Sequence, residues 1–115
     1  MKTYRIIPSW APMDAITLFG RVFTQRQVGD LTLLHEAEHV RQQERDGWKF
    51  YFRYLFSRKW RAAYEAEGYA VQVKDNPNNL DWAARALSGS LYLWPCSFEE
   101  AKRLILIAVE NKNFF

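Results

Sequence analysis

The chain has 115 residues and a mass of 13.7 kDa, which allows one domain with a single core and excludes two domains of ordinary size. Hydrophobic residues make up 49% and charged residues 25%, a balance typical of a globular protein and not of a disordered chain. The net charge of +3 permits an acidic partner without requiring one. Because Cys96 is the single cysteine, no internal disulfide can form, and a cytoplasmic location is expected.

The N-terminal quarter of the sequence predicts extended structure. Residues 1–14 predict a short extended start and then an irregular arm interrupted by Pro8 and Pro12. The segment 15–24 is rich in β-branched and aromatic residues around Gly20, which predicts either a hairpin that turns there or one strand with a glycine bulge. The start has no apolar run, so no secretory signal is expected, and no segment of the sequence is long and apolar enough to predict a membrane partner.

The pattern His-Glu-x-x-His follows, and it uses both histidines of the chain, His35 and His39. It lies in a predicted helix that runs from about residue 31 to residue 46, with Asp30 as its N-cap and Gly47 as its stop. On a helix the two histidines lie one turn apart on the same face, so both imidazoles can bind one zinc ion. Glu36 lies about 100° further round, where its carboxylate can take a proton from a water molecule at the metal's open position.

Two residues depart from the usual setting of this pattern in zinc peptidases. Glu38 is charged where the intervening positions are usually uncharged, and Arg41 stands where an apolar residue is usual. The alternative interpretation is therefore a surface helix whose histidines only make hydrogen bonds.

A second short helix is predicted at residues 48–56, where aromatic rings alternate with cations. We expect this helix to be buried, with its long cationic side chains reaching the surface. The alternative is a surface that binds single-stranded nucleic acid by stacking bases on the rings. Because the rings are spaced to cover a helix face continuously, burial is preferred and no nucleic-acid partner is expected.

Three further helices are predicted downstream, and residues 91–94 are predicted to be extended. The helices cover residues 60–73, 80–87 and 97–111. Asp81 is expected to cap the second of them, and Ser97 with Glu100 forms a capping box for the last. The run 104–109 in the last helix is apolar on nearly all sides, which predicts that much of it is packed. The fold class is therefore mainly α, an α+β domain with a small β hairpin or strand before the His-Glu-x-x-His helix.

A catalytic zinc ion usually has three protein ligands and one water molecule, so a third ligand is needed. The chain has no third histidine, and Cys96 lies far downstream after a proline. Two carboxylates on the third helix remain, Glu65 and Glu67. They are two positions apart and point about 200° away from each other, so only one of them can face the metal. Small neighbours would let this helix approach the histidine helix closely: Ala62, Ala63, Ala66 and Gly68.

Over residues 15–73 the chain resembles the gluzincin metallopeptidases, and within them the small HExxH domains of bacteria and phages. The resemblance consists of the extended segment, the run Leu33-Leu34-His35-Glu36-Ala37-Glu38-His39-Val40-Arg41-Gln42, the aromatic helix, and Glu65-Ala66-Glu67-Gly68-Tyr69. It implies that Glu65, the first glutamate of the pair, is the third ligand. Gly68 replaces the family's alanine, and Tyr69 stands where some members have an aspartate.

The motif and the resemblance together predict one compact zincin-like domain over residues 1–115 that binds Zn2+ and hydrolyses a peptide or protein substrate. The expected ligands are His35, His39 and Glu65, and the expected general base is Glu36. The alternative, from a different class, is a zinc-holding binding or regulatory module of the same fold without turnover. The tetrahedral intermediate also needs a hydrogen-bond donor besides zinc, and the candidates near the third ligand are Arg61, Tyr64 and Tyr69.

Overall fold

A computed structural model of the protein describes residues 2–113, which begin with a three-stranded sheet ordered β1-β3-β2. The strands are β1 (Lys2–Ile7), β2 (Ala15–Leu18) and β3 (Arg21–Gln25). β2 and β3 form an antiparallel hairpin. Phe19 and Gly20 both have positive φ, of 53° and 74°, as a tight two-residue hairpin turn requires. Of the two structures predicted for this segment, the hairpin is confirmed.

The extended start of the chain forms β1, which completes the three-stranded sheet. β1 pairs in parallel with β3, with Thr3 opposite Val22 and Tyr4 opposite Phe23. The rings of Tyr4 and Phe23 stack with centroids 5.4 Å apart. β3 is therefore the central strand, and β2 is left at the edge next to the first helix.

Five α-helices follow the sheet, so the predicted class, mainly helical with a small β element before the first helix, is confirmed. They are α1 (Asp30–Asp46), α2 (Trp48–Phe56), α3 (Arg58–Asp75), α4 (Leu80–Leu87) and α5 (Phe98–Asn113). Among the described residues, no helix combines the length and the apolar character that crossing a bilayer requires.

The main core lies where α3, α4 and α5 meet. Its buried members are largely small, which lets the three helices pack closely: Ala66, Tyr69, Val73, Ala83, Ala84, Leu87, Ala101 and Ile105. The other side of α3 packs on α1 and α2, so α3 is shared between the core and the histidine helix. The position of α3 therefore determines what can face the histidines.

Several local predictions are corrected by the structure. Gly29 and not Asp30 precedes the first turn of α1, and Asn79 and not Asp81 precedes α4. Residues 91–94 are not extended, because Ser90–Tyr92 form a 3-10 turn and Leu93 and Trp94 have positive φ. Of the two hydrogen bonds in the capping box predicted for α5, one is present. The hydroxyl of Ser97 accepts from the Glu100 amide at 3.1 Å, while the Glu100 side chain pairs with Arg103.

In α5 much of the apolar run is packed as predicted, because Ile105 and Ala108 are buried and Leu104 and Val109 pack against the core. One helix is more exposed than predicted. In α2 the prediction of a buried helix is wrong, because Phe50 is its single buried residue. The inner face of α2 packs on α1 and α3, and an apolar outer face is left uncovered by the described residues.

Candidate metal centre

His35 and His39 lie on the buried side of α1, each only 5% exposed. Their ring centroids are 4.9 Å apart, as the one-turn spacing requires. Tyr69 of α3 closes one side of the pair, with its ring edge-on to His35 at 4.4 Å. Both histidines therefore face the interior of the protein and not the solvent.

The Nδ1 atom of each histidine is held by a glutamine. Nδ1 of His39 lies 2.8 Å from Oε1 of Gln42, and Nδ1 of His35 lies 3.1 Å from Oε1 of Gln72. The Gln42 amide group donates to the carbonyl of Tyr64 at 2.9 Å and to Glu67 at 3.2 Å, which fixes its oxygen toward His39. Because an amide oxygen only accepts, Nδ1 of His39 carries the proton, and the lone pair of the neutral ring lies on Nε2.

The two Nε2 atoms converge on one carboxylate oxygen. Oε1 of Glu65 lies 2.9 Å from Nε2 of His35 and 3.0 Å from Nε2 of His39, and the three ligand atoms all lie within 4.8 Å of one another. Ligands bound to zinc at about 2 Å are separated by about 3–3.5 Å, close to the two distances from Glu65, so these three side chains could hold a metal ion. Two imidazole nitrogens and a carboxylate oxygen that are buried and directed at one point need a proton or a metal cation between them.

Glu65 is itself held from its other side. The hydroxyl of Tyr54, on α2, donates a short hydrogen bond to Oε2 and leaves Oε1 to face the histidines. Burial and then the negative charge of Glu65 raise the pKa of Tyr54, so its hydroxyl keeps its proton. Each of the three candidate ligands therefore has one polar partner that orients it, as metal ligands in proteins usually do.

The electrostatics of the cluster favour a carboxylate facing a cation. Burial would raise the pKa of Glu65, but the charge of His39 and the hydrogen bonds from both imidazoles outweigh it and hold this pKa well below its usual range. Burial would lower the pKa of His39, but the Glu65 carboxylate raises it to about 9. Glu65 is therefore ionised opposite a positively charged His39, and a metal cation bound there would replace the proton between them.

Glu36 lies beside this cluster and is not part of it. Its Oε2 accepts a hydrogen bond of 2.6 Å from the hydroxyl of Thr17 on β2. Glu36, His39 and Glu65 all line one cleft of about 310 Å³ between β2, α2 and the turn after α4. The Glu36 carboxylate thus lines the same cleft as His39 and Glu65 and lies outside the group of three.

The second glutamate of the pair points elsewhere. Glu67 accepts from Gln42 and lies 3.6 Å from Arg45, on a different side of α3 from Glu65. The structure therefore brings His35, His39 and Glu65 together and leaves Glu67 outside the cluster.

The three candidate donors for a tetrahedral intermediate all have other hydrogen-bond partners, and none of them lines the cleft. The Tyr64 hydroxyl donates to Asp46 at 2.7 Å, the hydroxyls of Tyr69 and Tyr92 bond to each other at 2.8 Å, and Arg61 donates to the carbonyls of Tyr54 and Tyr92. The tyrosines that line the cleft are Tyr51, Tyr54 and Tyr92.

The arrangement defines a class of site: two histidines and one glutamate able to hold a divalent metal, with a second glutamate at the adjoining cleft. A comparison of the chain with protein-family models, curated proteins and solved structures finds no match. Among the described residues, the His35, His39 and Glu65 cluster is the one group of histidine, cysteine and carboxylate side chains with this capacity.

Proposed function

We propose that the protein is a zinc-dependent metallopeptidase of the gluzincin type. The observation that carries the proposal is the convergence of both Nε2 atoms on Oε1 of Glu65, at 2.9 and 3.0 Å, with Glu36 alongside as a carboxylate that is not a ligand. A purely structural zinc site is closed by four protein ligands and has no use for a general base. Three ligands beside an accessible cleft suit a catalytic site.

Each residue of the site then has a distinct role. Zinc, when bound, polarises the scissile carbonyl and activates water for attack. Glu36 accepts the proton of that water and later delivers it to the leaving amine. Because Oε2 of Glu36 is held by Thr17 at 2.6 Å, its other oxygen, Oε1, is the one available to take the proton.

A peptide is the substrate that suits the adjoining cleft. β2 lies at the edge of the sheet and supplies Ala15, Ile16, Thr17 and Leu18 to the lining. An edge strand offers backbone groups that pair with an extended peptide. Apolar side chains from α2 and from the turn after α4 line the opposite wall.

The experiment measures zinc content and cleavage of a peptide library by wild type and three glutamate variants. Wild type is expected to hold about one zinc per chain. Glu36→Gln should keep the zinc and lose about 10²–10⁴ in rate, the usual share of general acid–base catalysis. Glu65→Gln should weaken zinc binding, because it removes the charged ligand.

Glu67→Gln is the matched control, because the same change is made two residues away and the new amide oxygen can still accept from Gln42. It should retain both the zinc and the activity. Zinc-free wild type, purified without chelators, would contradict the proposal. Wild type that holds zinc and cleaves nothing would favour the alternative, a zinc-holding binding or regulatory module.

A further inference from the structure

The outer face of α2 is a continuous apolar strip. Trp48, Phe52, Leu55 and Phe56 are 73%, 61%, 67% and 76% exposed, and we call these four residues the outer stripe of α2. They occupy positions i, i+4, i+7 and i+8 of the helix, so they fall within an arc of about 100°. Single exposed apolar residues are ordinary, but four adjacent ones on one helix indicate a surface that contacts something apolar.

The stripe cannot be buried by rotation of the helix, because the inner face is fixed. Phe50 is buried against α1 and α3, with its ring 4.7 Å from that of Tyr64. The hydroxyl of Tyr51 donates to Gln43 at 3.0 Å, and that of Tyr54 donates to Glu65. Three inward side chains thus hold α2 in one orientation, and the outer stripe faces outward.

Basic residues interleave with and follow the stripe in the sequence, and the nearest acid before it, Asp46, lies 3.8 Å from Arg53. Residues 47–64 contain five basic residues and no aspartate or glutamate: Lys49, Arg53, Arg58, Lys59 and Arg61. Lys49 and Arg53 lie about 100° and 140° round the helix from Trp48. These two cations are therefore beside one edge of the stripe. Lys49, Arg58 and Lys59 are exposed. The surface therefore combines an apolar centre with a positively charged margin.

This charge pattern argues against a second copy of the chain as the partner. A symmetric dimer through the stripe would bring the same positively charged margins of the two copies together. Nucleic acid fits less well, because the rings are not free for stacking by bases. Phe52 and Phe56 cover each other with centroids 5.2 Å apart, and the Arg53 guanidinium lies over Trp60 at 4.0 Å from the ring centroid.

We propose that the outer stripe of α2 binds the surface of an anionic lipid bilayer. The helix lies in the plane of the interface, with its apolar residues among the headgroups and upper acyl chains and its cations on the anionic lipids. Trp, Phe and Leu are the apolar side chains typical of helices that lie in this zone. Leu55 also lines the cleft beside the candidate metal centre, so a bound protein holds the mouth of that cleft next to the membrane.

The experiment is co-sedimentation of the purified protein with vesicles of phosphatidylcholine alone or mixed with phosphatidylglycerol. We expect binding to the mixed vesicles, weaker binding to phosphatidylcholine, and a decline with added salt. Phe52→Ser combined with Phe56→Ser should lower the partition coefficient at least about tenfold. Lys49→Ser and Lys59→Ser should each lower it about fivefold on anionic vesicles and little on neutral ones.

Leu106→Ser is the matched control, since it removes an exposed apolar side chain from α5 and should leave vesicle binding unchanged. No binding of wild type to the mixed vesicles would overturn the proposal, as would equal binding by the double variant. A dimer in analytical ultracentrifugation that Phe52→Ser dissociates would assign the stripe to a second copy instead. Stripe-dependent binding of a labelled oligothymidylate without vesicle binding would assign it to nucleic acid.

Discussion

Gly68 of α3 lies directly against the imidazole of His35. A Cβ atom at position 68 would lie 2.7 Å from Nε2 of His35 and 2.8 Å from Cε1, closer than nonbonded carbon atoms approach. Inside a helix, glycine lowers helix stability by about 1 kcal/mol relative to alanine, so Gly68 makes α3 less stable than alanine would. The compensating gain is that α3 comes close enough for Glu65 to reach both histidines.

Gly68→Ala is therefore expected to weaken zinc binding by at least about tenfold, because the new methyl group pushes a ligand ring away from its position. The measurement is a competition titration against a chromophoric zinc chelator. Gly29→Ala is the control, because a Cβ atom there meets nothing within 4 Å and the backbone φ is ordinary. Equal zinc affinity of Gly68→Ala and wild type would show that the close approach is not required.

The local elements of the site could be predicted from the sequence because their signals are short in range. The i, i+4 spacing of His35 and His39 determines their common face in any α-helix. The two-residue spacing of Glu65 and Glu67 separates their directions in the same way, although the choice of Glu65 came from the resemblance and not from the spacing. The structure has Glu65 at the histidines and Glu67 beside Arg45.

The partners of these residues could not be predicted, because they come from distant parts of the chain. Thr17 reaches Glu36 from 19 residues away, and Gln72 reaches His35 from 37 residues away. No periodicity encodes such pairs, since they depend on how whole elements pack. The same reason explains the error on α2. Where nearly every position of a helix is apolar, the pattern cannot tell which side the rest of the protein covers.

A pH-dependent contribution to stability is expected from Asp46, at the end of α1. The hydrogen bonds from Arg45 and from the Tyr64 hydroxyl hold the pKa of Asp46 below its ordinary value. A carboxylate with a lowered pKa in the folded state stabilises the protein above its unfolded-state pKa, and this contribution is lost as the pH falls through the folded-state pKa.

Asp46→Asn should therefore destabilise the protein by about 1 kcal/mol at neutral pH, and the difference from wild type should shrink as the pH drops below about 4. Urea unfolding of both proteins at a series of pH values measures this difference. Glu44→Gln, an exposed carboxylate on the same helix, should change stability little at any of these values. A difference between Asp46→Asn and wild type that stays constant into the acid range would contradict the assignment.

Tyr54 is expected to set the zinc affinity without touching the metal. Its hydroxyl holds Oε2 of Glu65, so Tyr54→Phe frees that carboxylate to rotate away from the histidines. Loss of such an orienting partner typically costs about 10–100-fold in metal affinity. The ring itself should stay in place against Phe50, 5.5 Å away between centroids, so the fold is preserved.

The control for Tyr54→Phe is Tyr64→Phe, which removes a hydroxyl that bonds to Asp46 instead of Glu65. Both proteins are titrated with zinc in competition with the same chelator. Tyr64→Phe is expected to bind zinc as wild type does even if it unfolds more readily. If Tyr54→Phe also keeps the wild-type affinity, Glu65 does not depend on this hydrogen bond for its orientation.

Thr17 is expected to act on the rate through Glu36. It is buried on β2 and donates to Oε2 of Glu36 at 2.6 Å, which orients the carboxylate toward the cleft. Thr17→Val preserves the shape and removes the donor, while Thr17→Ser preserves the donor. For a peptide that wild type cleaves, Thr17→Val should lower kcat about tenfold, the equivalent of one hydrogen bond of about 1.4 kcal/mol, with KM and zinc content unchanged.

Thr17→Ser should recover most of the rate. Equal loss in both variants would mean that Thr17 acts through packing of β2 and not through Glu36.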